Sequence, residues 1–541
     1  MKYNRLSEDD SAKIQALILE IYKAKIFNPS DLRKLLRKYP SSNGIFSRDN
    51  LISTYKQMLK DGLKINTKVM DRIKMKPTRT VSGVAPVTVL TKPYPCPGKC
   101  IFCPTDVRMP KSYLSSEPGA QRAERNNFDP YLQTYNRLLA FSNTGHNTNK
   151  VELIILGGTW SYYPRNYRLW FIKRCFDAMN DFPQIDRRGF TEKEKLVTWA
   201  EICAVQKTNE IAITRNVGLV VETRPDYITI EELTDLRKLG VTKIQIGVQS
   251  LNDKILKLNG RGHTSAQIKK AISLIRQFGF KIHIHTMPNL YGSTVEMDKK
   301  DYAKILAEIQ PDEVKIYPTS VIKNTALYSL FKQGSYKPYS YDELLDILKY
   351  AMSITPRYCR LTRVVRDIPS QDIEAGNKHS NFRQIAENSL IKDGNPCECI
   401  RCREIKQLAV NIKDLELEEI HYTTDVSQEV FLSYKTKKND KIVGFLRLSL
   451  PFPNKDLTAE LKNSAIIREI HVYGEVVNIG AKATGRAQHL GIGKKLMILA
   501  TKIVKEQNYK KLAVISAIGT REYYNKNGFT QAVLYQFKDI S

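Results

Sequence analysis

The hydrophobic and polar positions divide the chain into four textures. Through residue 80 the apolar residues recur at helical spacing. Ser7 with Asp10 resembles a capping box before IQALILEIYKAKIF, and Pro29 opens the run SDLRKLLRKY, so short helices are predicted. From about residue 81 the pattern changes to short β-branched runs: VAPVTVL (84–90), VELIIL (151–156), GLVVET (218–223), KIQIGV (243–248), KIHIHTM (281–287), EVKIYP (313–318) and RLTRVV (360–365). Amphipathic stretches such as IEELTDLRKLG and SAQIKKAISLIRQFG lie between them. This repeating strand and helix order predicts a partial or complete parallel barrel of the TIM type over 81–375. Such barrels collect their chemistry where strands run into loops, which makes Gly157, Gly158, Glu222, Gln249, His285 and Lys315 the first pocket candidates. Between 376 and 410 periodicity fades around Gly376, Gly394 and Pro396. Over 411–541 strands return (KIVGFLRLSL, SAIIREIHVYG, KLAVISAI) beside one helix, GIGKKLMILATKIVKEQ, which predicts a compact α/β domain.

Charge changes this picture. The 541 residues carry a formal net charge of +29. The first 80 hold 18 Lys and Arg against 8 Asp and Glu, so the helical module alone carries +10. Basic residues recur through every predicted helix, and clustered cations gain free energy by releasing counterions condensed on phosphates. A nucleic-acid-binding module is the expectation, ahead of a solvated helical face or an anionic membrane surface. No apolar run approaches the roughly 20 residues that span a bilayer, and MKYNRLSEDDSAK lacks the apolar stretch of a signal peptide, so a soluble cytoplasmic protein without a membrane is expected.

The nine cysteines are too few for a disulfide scaffold. Six form two tight clusters, Cys96/Cys100/Cys103 and Cys397/Cys399/Cys402, and crowded thiolates suit soft metals in a reducing compartment. Cys175, Cys203 and Cys359 are expected to be small core residues. In PYPCPGKCIFCP three thiolates on a short loop after a strand can converge on an iron-sulfur cube, leaving one iron open to a ligand, with Phe102 as part of an apolar wrapping. A structural zinc missing its fourth ligand is the lesser alternative. At the next strand end, Gly157, Gly158 and Thr159 expose backbone to a ligand or make a tight turn.

The cysteine loop resembles the signature of the radical S-adenosylmethionine superfamily. With KVELIILGGTWSYYP, VVETRPDYI, IQIGVQS, KIYPTSVI, VVRDIPS and HVYGEVV, the chain resembles the family of catalytic subunits of Elongator over nearly its whole length. The resemblance implies a 4Fe-4S cluster on Cys96, Cys100 and Cys103 that cleaves S-adenosylmethionine to a 5′-deoxyadenosyl radical. Gly157, Gly158 and Thr159 would hold the methionyl amine, Glu222 and Gln249 would face the cofactor, and Lys315 would supply a cation at the mouth. It further implies a carboxymethyl-type group placed on carbon 5 of the wobble uridine in the tRNA anticodon loop. The loop MPNLYGST departs from the family pattern, which leaves the role of His285 open.

In the last domain, Gln488-His-Leu-Gly491-Ile-Gly493 opens a helix after a strand, where free amides can cradle a pyrophosphate. With GTREYYNKNGF this order resembles a Gcn5-related acetyltransferase. That resemblance implies acetyl-CoA, with Glu469, Ile470, His471 and Val472 along the pantetheine, Gly491, Ile492, Gly493 and Lys494 at the pyrophosphate, and Tyr524 near the thioester. For Tyr523 and Tyr524 core packing is the alternative. Lys150 matches a family lysine associated with acetyl-CoA. Cys397, Cys399 and Cys402 suit a structural zinc, with His379 as the nearest fourth ligand. A protein lysine acetyltransferase with a structural cluster and a non-catalytic tRNA scaffold are the rival readings. A homodimer and accessory subunits are both compatible with these features.

Overall fold

The computed structural model describes residues 7–42, 44–63, 68–76, 80, 82–406, 410–453, 458–473 and 491–540. The basic N-terminal segment forms helices Glu8–Lys23, Pro29–Lys38, Arg48–Lys60 and Lys68–Ile73 around a core of its own that includes Ile14, Leu17, Leu51 and Tyr55. Ser7 caps the first helix by accepting from the Asp10 amide, but the Asp10 carboxylate turns away to accept from the amide and hydroxyl of Ser42. The expected reciprocal box is therefore half formed, and its acidic half ties the helix to the following turn.

Seven parallel strands follow: β1 (Ala85–Leu90), β2 (Lys150–Leu156), β3 (Arg215–Thr223), β4 (Lys243–Gln249), β5 (Lys281–Thr286), β6 (Glu313–Ile316) and, after a short β7 (Val321–Ile322), β8 (Arg360–Val364). Their order is β1-β2-β3-β4-β5-β6-β8, with β1 and β8 at the edges, so the barrel is partial. β7 pairs with β9 (Ile373–Ala375) beside it. The strand KIHIHT shows how the sequence builds the wall. Ile282 and Ile284 are fully buried outward against the helical layer, while Lys281, His283 and His285 alternate onto the other face, the lumen. The helix Ser265–Gln277 behind it starts at a Thr264/Gln267 capping box and buries Ile268, Ile272 and Ile275.

The C-terminal unit is a seven-stranded mixed sheet of β10 (Leu415–Thr423), β11 (Ser427–Thr436), β12 (Ile442–Pro451), β13 (Ser464–Val472), β14 (Lys511–Val514), β15 (Thr530–Gln531) and β16 (Gln536–Asp539), ordered β10-β11-β12-β13-β14-β16-β15. The helix Ile492–Glu506 packs on it. This sheet docks on the end of the barrel where strands begin. Arg468 reaches Asp312 just before β6 and the Phe280 carbonyl just before β5, and the Tyr535 hydroxyl donates to the Phe278 carbonyl. One apolar core runs from barrel to sheet. The cysteine loop, after β1, lies at the opposite end of the barrel.

Candidate functional site

A single cavity of about 670 Å³ passes through the barrel lumen. Cys96, Cys100, Cys103 and Thr159 line it at the strand-end face, and Ile515, Ala517, Thr520 and Tyr524 of the C-terminal unit line it at the other.

At the first end the cysteine loop is held by arginines. Arg224 makes a two-pronged contact with Asp226 and donates to the Arg261 carbonyl. Arg261 in turn places Nη1 3.2 Å from Cys100 Sγ and donates from Nη2 to the Gly247 carbonyl. Cys96 Sγ lies 3.6 Å from Thr159 Oγ1. The three thiols do not all lie within 4.8 Å of one another, a spread that suits the corners of a cluster better than one ion. Phe102 packs against Val321, Leu327 and Tyr336 and also lines the cavity. Burial pushes the Cys103 thiol up to about 12, so a bound cation is what would ionise it. Gly157 has φ +128°, and a Cβ there would collide with Thr91 Oγ1. Its carbonyl is taken by the Thr91 and Tyr163 hydroxyls, which leaves Gly158 and Thr159 to face the cavity. Gln249, at φ +66°, lines the cavity with Oε1 buried and without a hydrogen-bond partner, an acceptor suited to a ligand hydroxyl or amine.

The lumen is layered with polar side chains. Lys315 Nζ donates to Gln245 Oε1 at 2.5 Å, and His285 Nε2 lies 3.0 Å from the same oxygen. His285 Nδ1 is 3.6 Å from Glu222 Oε1. Burial pulls Lys315 down to about 8 against the attraction of Glu222, and burial pushes Glu222 up against Lys315 and Arg366. One layer down, Lys243 sits 2.7 Å from Glu152 and 3.1 Å from Glu313. At the domain junction Lys281 bridges Glu313, at 3.4 Å, and Glu469 of β13, at 2.5 Å.

At the far end β13 and β14 part. They pair in parallel from Ser464/Lys511 to Ile467/Val514, after which Glu469, Ile470, His471 and Val472 stay bonded to β12 alone among the described pairings. The opened strand edge offers backbone amides and carbonyls to an extended ligand. The Glu469 side chain itself is engaged, with Lys281 and with Arg447 at 3.0 Å. Ile470, His471 and the buried Tyr524 line the cavity, whereas Tyr523 is half exposed with its hydroxyl close over Gly493. Gly491 stands left-handed at φ +65° as the N-cap of Ile492–Glu506, with Gly493 buried and Lys494 exposed in the first turn. Gln488, His489 and Leu490 lie outside the described residues, as do Gly474 to Val477.

Cys397, Cys399 and Cys402 bring their sulfurs within 4.8 Å of one another, with Cys399 and Cys402 3.7 Å apart. Zinc–sulfur bonds of about 2.3 Å in a tetrahedron put sulfurs about 3.8 Å apart, so the trio fits a single zinc-like ion. His379 does not join it. Its ring packs on Tyr341 and Phe382, and Arg383 and Glu387 each lie 3.6 Å from Cys402 Sγ.

One other expectation is corrected. Cys203 is exposed, because it falls on the outer side of the helix Trp199–Ile211, where Ile202 and Gln206 take the inner side. Lys150 starts β2 beside Arg215, at the barrel end that meets the C-terminal sheet, and Glu152, two residues on, lines the cavity. Arg363 and Arg366 line the cavity near the cysteine loop, where Arg363 pairs with Asp367 and Arg366 with Glu117. Arg261, Gln245, His283, Lys243, Lys281, Glu313 and Thr362 are cavity residues that sequence reasoning did not single out. The available signal was the alternation of polar residues in KIHIHT and EVKI.

A parallel partial barrel that closes over a three-cysteine loop defines the class, and the model for the radical SAM superfamily matches residues 94–305, with its C-terminal domain model matching 311–392. The tRNA uridine(34) acetyltransferase of Methanocaldococcus jannaschii is 41% identical over 86% of both chains. Elongator complex protein 3 of Homo sapiens is 33% identical over 94% of this chain and 93% of its own. A solved archaeal Elp3 of Methanocaldococcus infernus, lacking residues 1–46, superposes with a TM-score of 0.72 at 37% identity over 84% of this chain and 99% of that one. The chain belongs to the family of tRNA uridine(34) acetyltransferases and Elongator complex protein 3.

Proposed function

We propose that the protein is a radical SAM enzyme of the cytoplasm that places a carboxymethyl group, drawn from acetyl-CoA, on carbon 5 of the wobble uridine of tRNA. The observation that carries this reading is the single cavity shared by Cys96, Cys100 and Cys103 at one end and Tyr524 at the other. The kinship to tRNA uridine(34) acetyltransferases supports the substrate.

In this reading residues 1–80 form a tRNA-binding module, 81–375 the radical barrel, 376–410 a zinc-stapled linker and 411–541 the acetyl-CoA domain. Cys96, Cys100 and Cys103 hold a 4Fe-4S cluster, while Gly158, Thr159, Glu222 and Gln249 bind S-adenosylmethionine. When bound, these groups would supply a 5′-deoxyadenosyl radical, the agent that takes a hydrogen atom from an acetyl methyl and leaves a carbon radical able to add to the uracil ring. The parted strands at Glu469 to Val472 hold pantetheine, and Gly491 to Lys494 hold pyrophosphate. The arm then directs its thioester into the lumen past Tyr524. Lys315 donates to the acyl carbonyl from the lumen wall. Lys and Arg of the N-terminal helices, with Arg363 and Arg366, hold phosphates, and an unpaired loop base can be splayed into the open barrel mouth where a stacked base cannot. Cys397, Cys399 and Cys402 hold zinc.

Anaerobically reconstituted protein, incubated with tRNA, acetyl-CoA and S-adenosylmethionine, should yield 5′-deoxyadenosine and a carboxymethylated wobble uridine by nucleoside mass spectrometry. Loss of both in Cys96→Ala is expected. Lysine acetylation that survives Cys96→Ala, with no modified uridine in the wild type, would sink the reading.

A further inference from the structure

A carboxymethyl product cannot leave while its carbonyl is still bonded to the sulfur of CoA. The reading proposed above therefore needs a thioester cleaved by water somewhere between the two ends of the cavity, and the lumen wall midway holds one arrangement suited to it. His283 of β5 places Nε2 2.9 Å from Thr362 Oγ1 of β8, and its Nδ1, which makes no hydrogen bond at rest, faces Glu313 Oε2 of β6 at 3.3 Å. All three line the cavity, and the His283 and Glu313 side chains are 3% and 6% exposed. A hydroxyl on one imidazole nitrogen and a carboxylate facing the other is the geometry by which a base is oriented and its cationic form stabilised, on any fold.

We propose that Thr362, His283 and Glu313 form a hydrolytic relay that frees the acyl group from CoA, an inference that rests on the function proposed above. A water in the lumen attacks the thioester carbonyl carbon. As the new carbon–oxygen bond forms, the water proton passes to Thr362 Oγ1, whose own proton passes to His283 Nε2. The carbon–sulfur bond breaks, the electron pair leaves on sulfur, and the imidazolium returns its proton to the thiolate. The net reaction is thioester plus water to carboxylate, thiol and a proton. The Thr362 hydroxyl also lies 3.1 Å from the Val314 carbonyl, to which it donates at rest, so the relay has it turn its proton to His283 Nε2 as the water proton arrives, and His283 needs no direct contact with the water. Glu313 acts through His283 and is a positioning residue.

The other ionisable groups of the cavity are less suited. Lys243 is held as a cation by Glu152 and Glu313, and Lys281 is paired with Glu313 and Glu469. His285 has Gln245 and Glu222 at its two nitrogens, one layer nearer the cysteine loop. His471 stacks between Phe445 and Tyr473 and has no carboxylate aligned behind a hydroxyl partner. Burial, together with the cations Lys315, Lys243 and Lys281, keeps the His283 imidazole neutral at rest, and Glu313 is the group that favours its protonated form.

The test follows three products in reconstituted holoenzyme with tRNA, S-adenosylmethionine and acetyl-CoA: 5′-deoxyadenosine, free CoA thiol and the digested nucleosides. In His283→Asn and in Thr362→Val, 5′-deoxyadenosine should still form while CoA release falls about a hundredfold or more, and a nucleoside still joined to CoA should accumulate. Thr362→Ser should restore release, which a packing defect would not predict, and it keeps the test open should His283→Asn fold poorly. Glu313→Gln should lower kcat for CoA release and leave the KM for acetyl-CoA unchanged. Release at the wild-type rate in both His283→Asn and Thr362→Val, with modified uridine formed, overturns the relay and leaves the function standing. A wild type that makes no modified uridine overturns that function and the relay with it, before any variant is compared.

Discussion

Arg468 of β13 donates from Nη1 to Asp312 Oδ1 at 3.0 Å across the junction of barrel and C-terminal sheet, and both side chains are fully buried. Arg468 also reaches Glu429 at 2.9 Å, and Asp312 accepts from the Ile282 amide at 2.8 Å, so one carboxylate joins the sheet, the barrel strand and the turn before β6. Against the upward push of burial, Arg468 and Arg447 hold Asp312 down at about 2. Removing one partner of such a buried pair strands the other. Arg468→Met is expected to cost about 3–5 kcal/mol in denaturant unfolding. A loss below about 1 kcal/mol would mean that the other links across the junction hold the two units without this pair.

The Lys315 ammonium is a donor only while protonated. With its pKa drawn down to about 8 by burial, the cation is present at neutral pH and lost as pH rises through about 8, against an ordinary value of about 10.4. The groups acting on it are Glu222 and Glu313, which favour the charge, Gln245 and His285, and the cations Arg363 and Lys243. Single-turnover uridine modification should therefore decline above pH about 8. Lys315→Met should lower the rate about 10²–10³-fold and abolish that alkaline limb. A limb that persists in Lys315→Met would assign it to another group.

The two cysteine clusters should separate in metal analysis. Cys399→Ser is expected to lose zinc and part of the linker's stability, because folding of a small polar segment draws on the metal, while iron and sulfide stay near wild type. Cys96→Ala should do the reverse. Iron on the Cys397 trio after anaerobic purification would contradict the assignment that its 3.7 Å sulfur spacing supports.

Two glycines differ in what a methyl group meets. Gly157→Ala would force a side chain into Thr91 Oγ1 at φ +128°, and should cost at least about 2 kcal/mol with loss of S-adenosylmethionine binding. At Gly493 the added Cβ would meet the Tyr523 hydroxyl at 2.7 Å, the free end of a half-exposed ring that can swing aside. Gly493→Ala should fold normally and weaken CoA binding, as calorimetry can measure.

Much of the barrel was legible because its strands are β-branched runs that end in loops with Cys96, Gly157 or Glu222 at their tips. The lumen was not. In KIHIHT the polar alternation of Lys281, His283 and His285 has the period of a strand with one wet face, yet both faces are buried: the polar one lines an internal cavity. Likewise β10 escaped notice, since LELEEIHYT at a sheet edge is mostly exposed. The fourth partner of the Cys397 trio was sought in His379 by nearness in sequence, whereas the chain folds Arg383 and Glu387 against Cys402 on the following helix. Spacing within one loop reads well from sequence, while convergence between loops depends on the fold.

The central claim is that an acetyl methyl group, delivered through the lumen, meets the radical. Acetyl-CoA deuterated on the methyl group tests it in one reaction with the reconstituted protein, tRNA and S-adenosylmethionine. The account predicts one deuterium transferred into 5′-deoxyadenosine and two retained in the carboxymethyl group of the modified uridine. Unlabelled 5′-deoxyadenosine accompanying labelled carboxymethyluridine would contradict it.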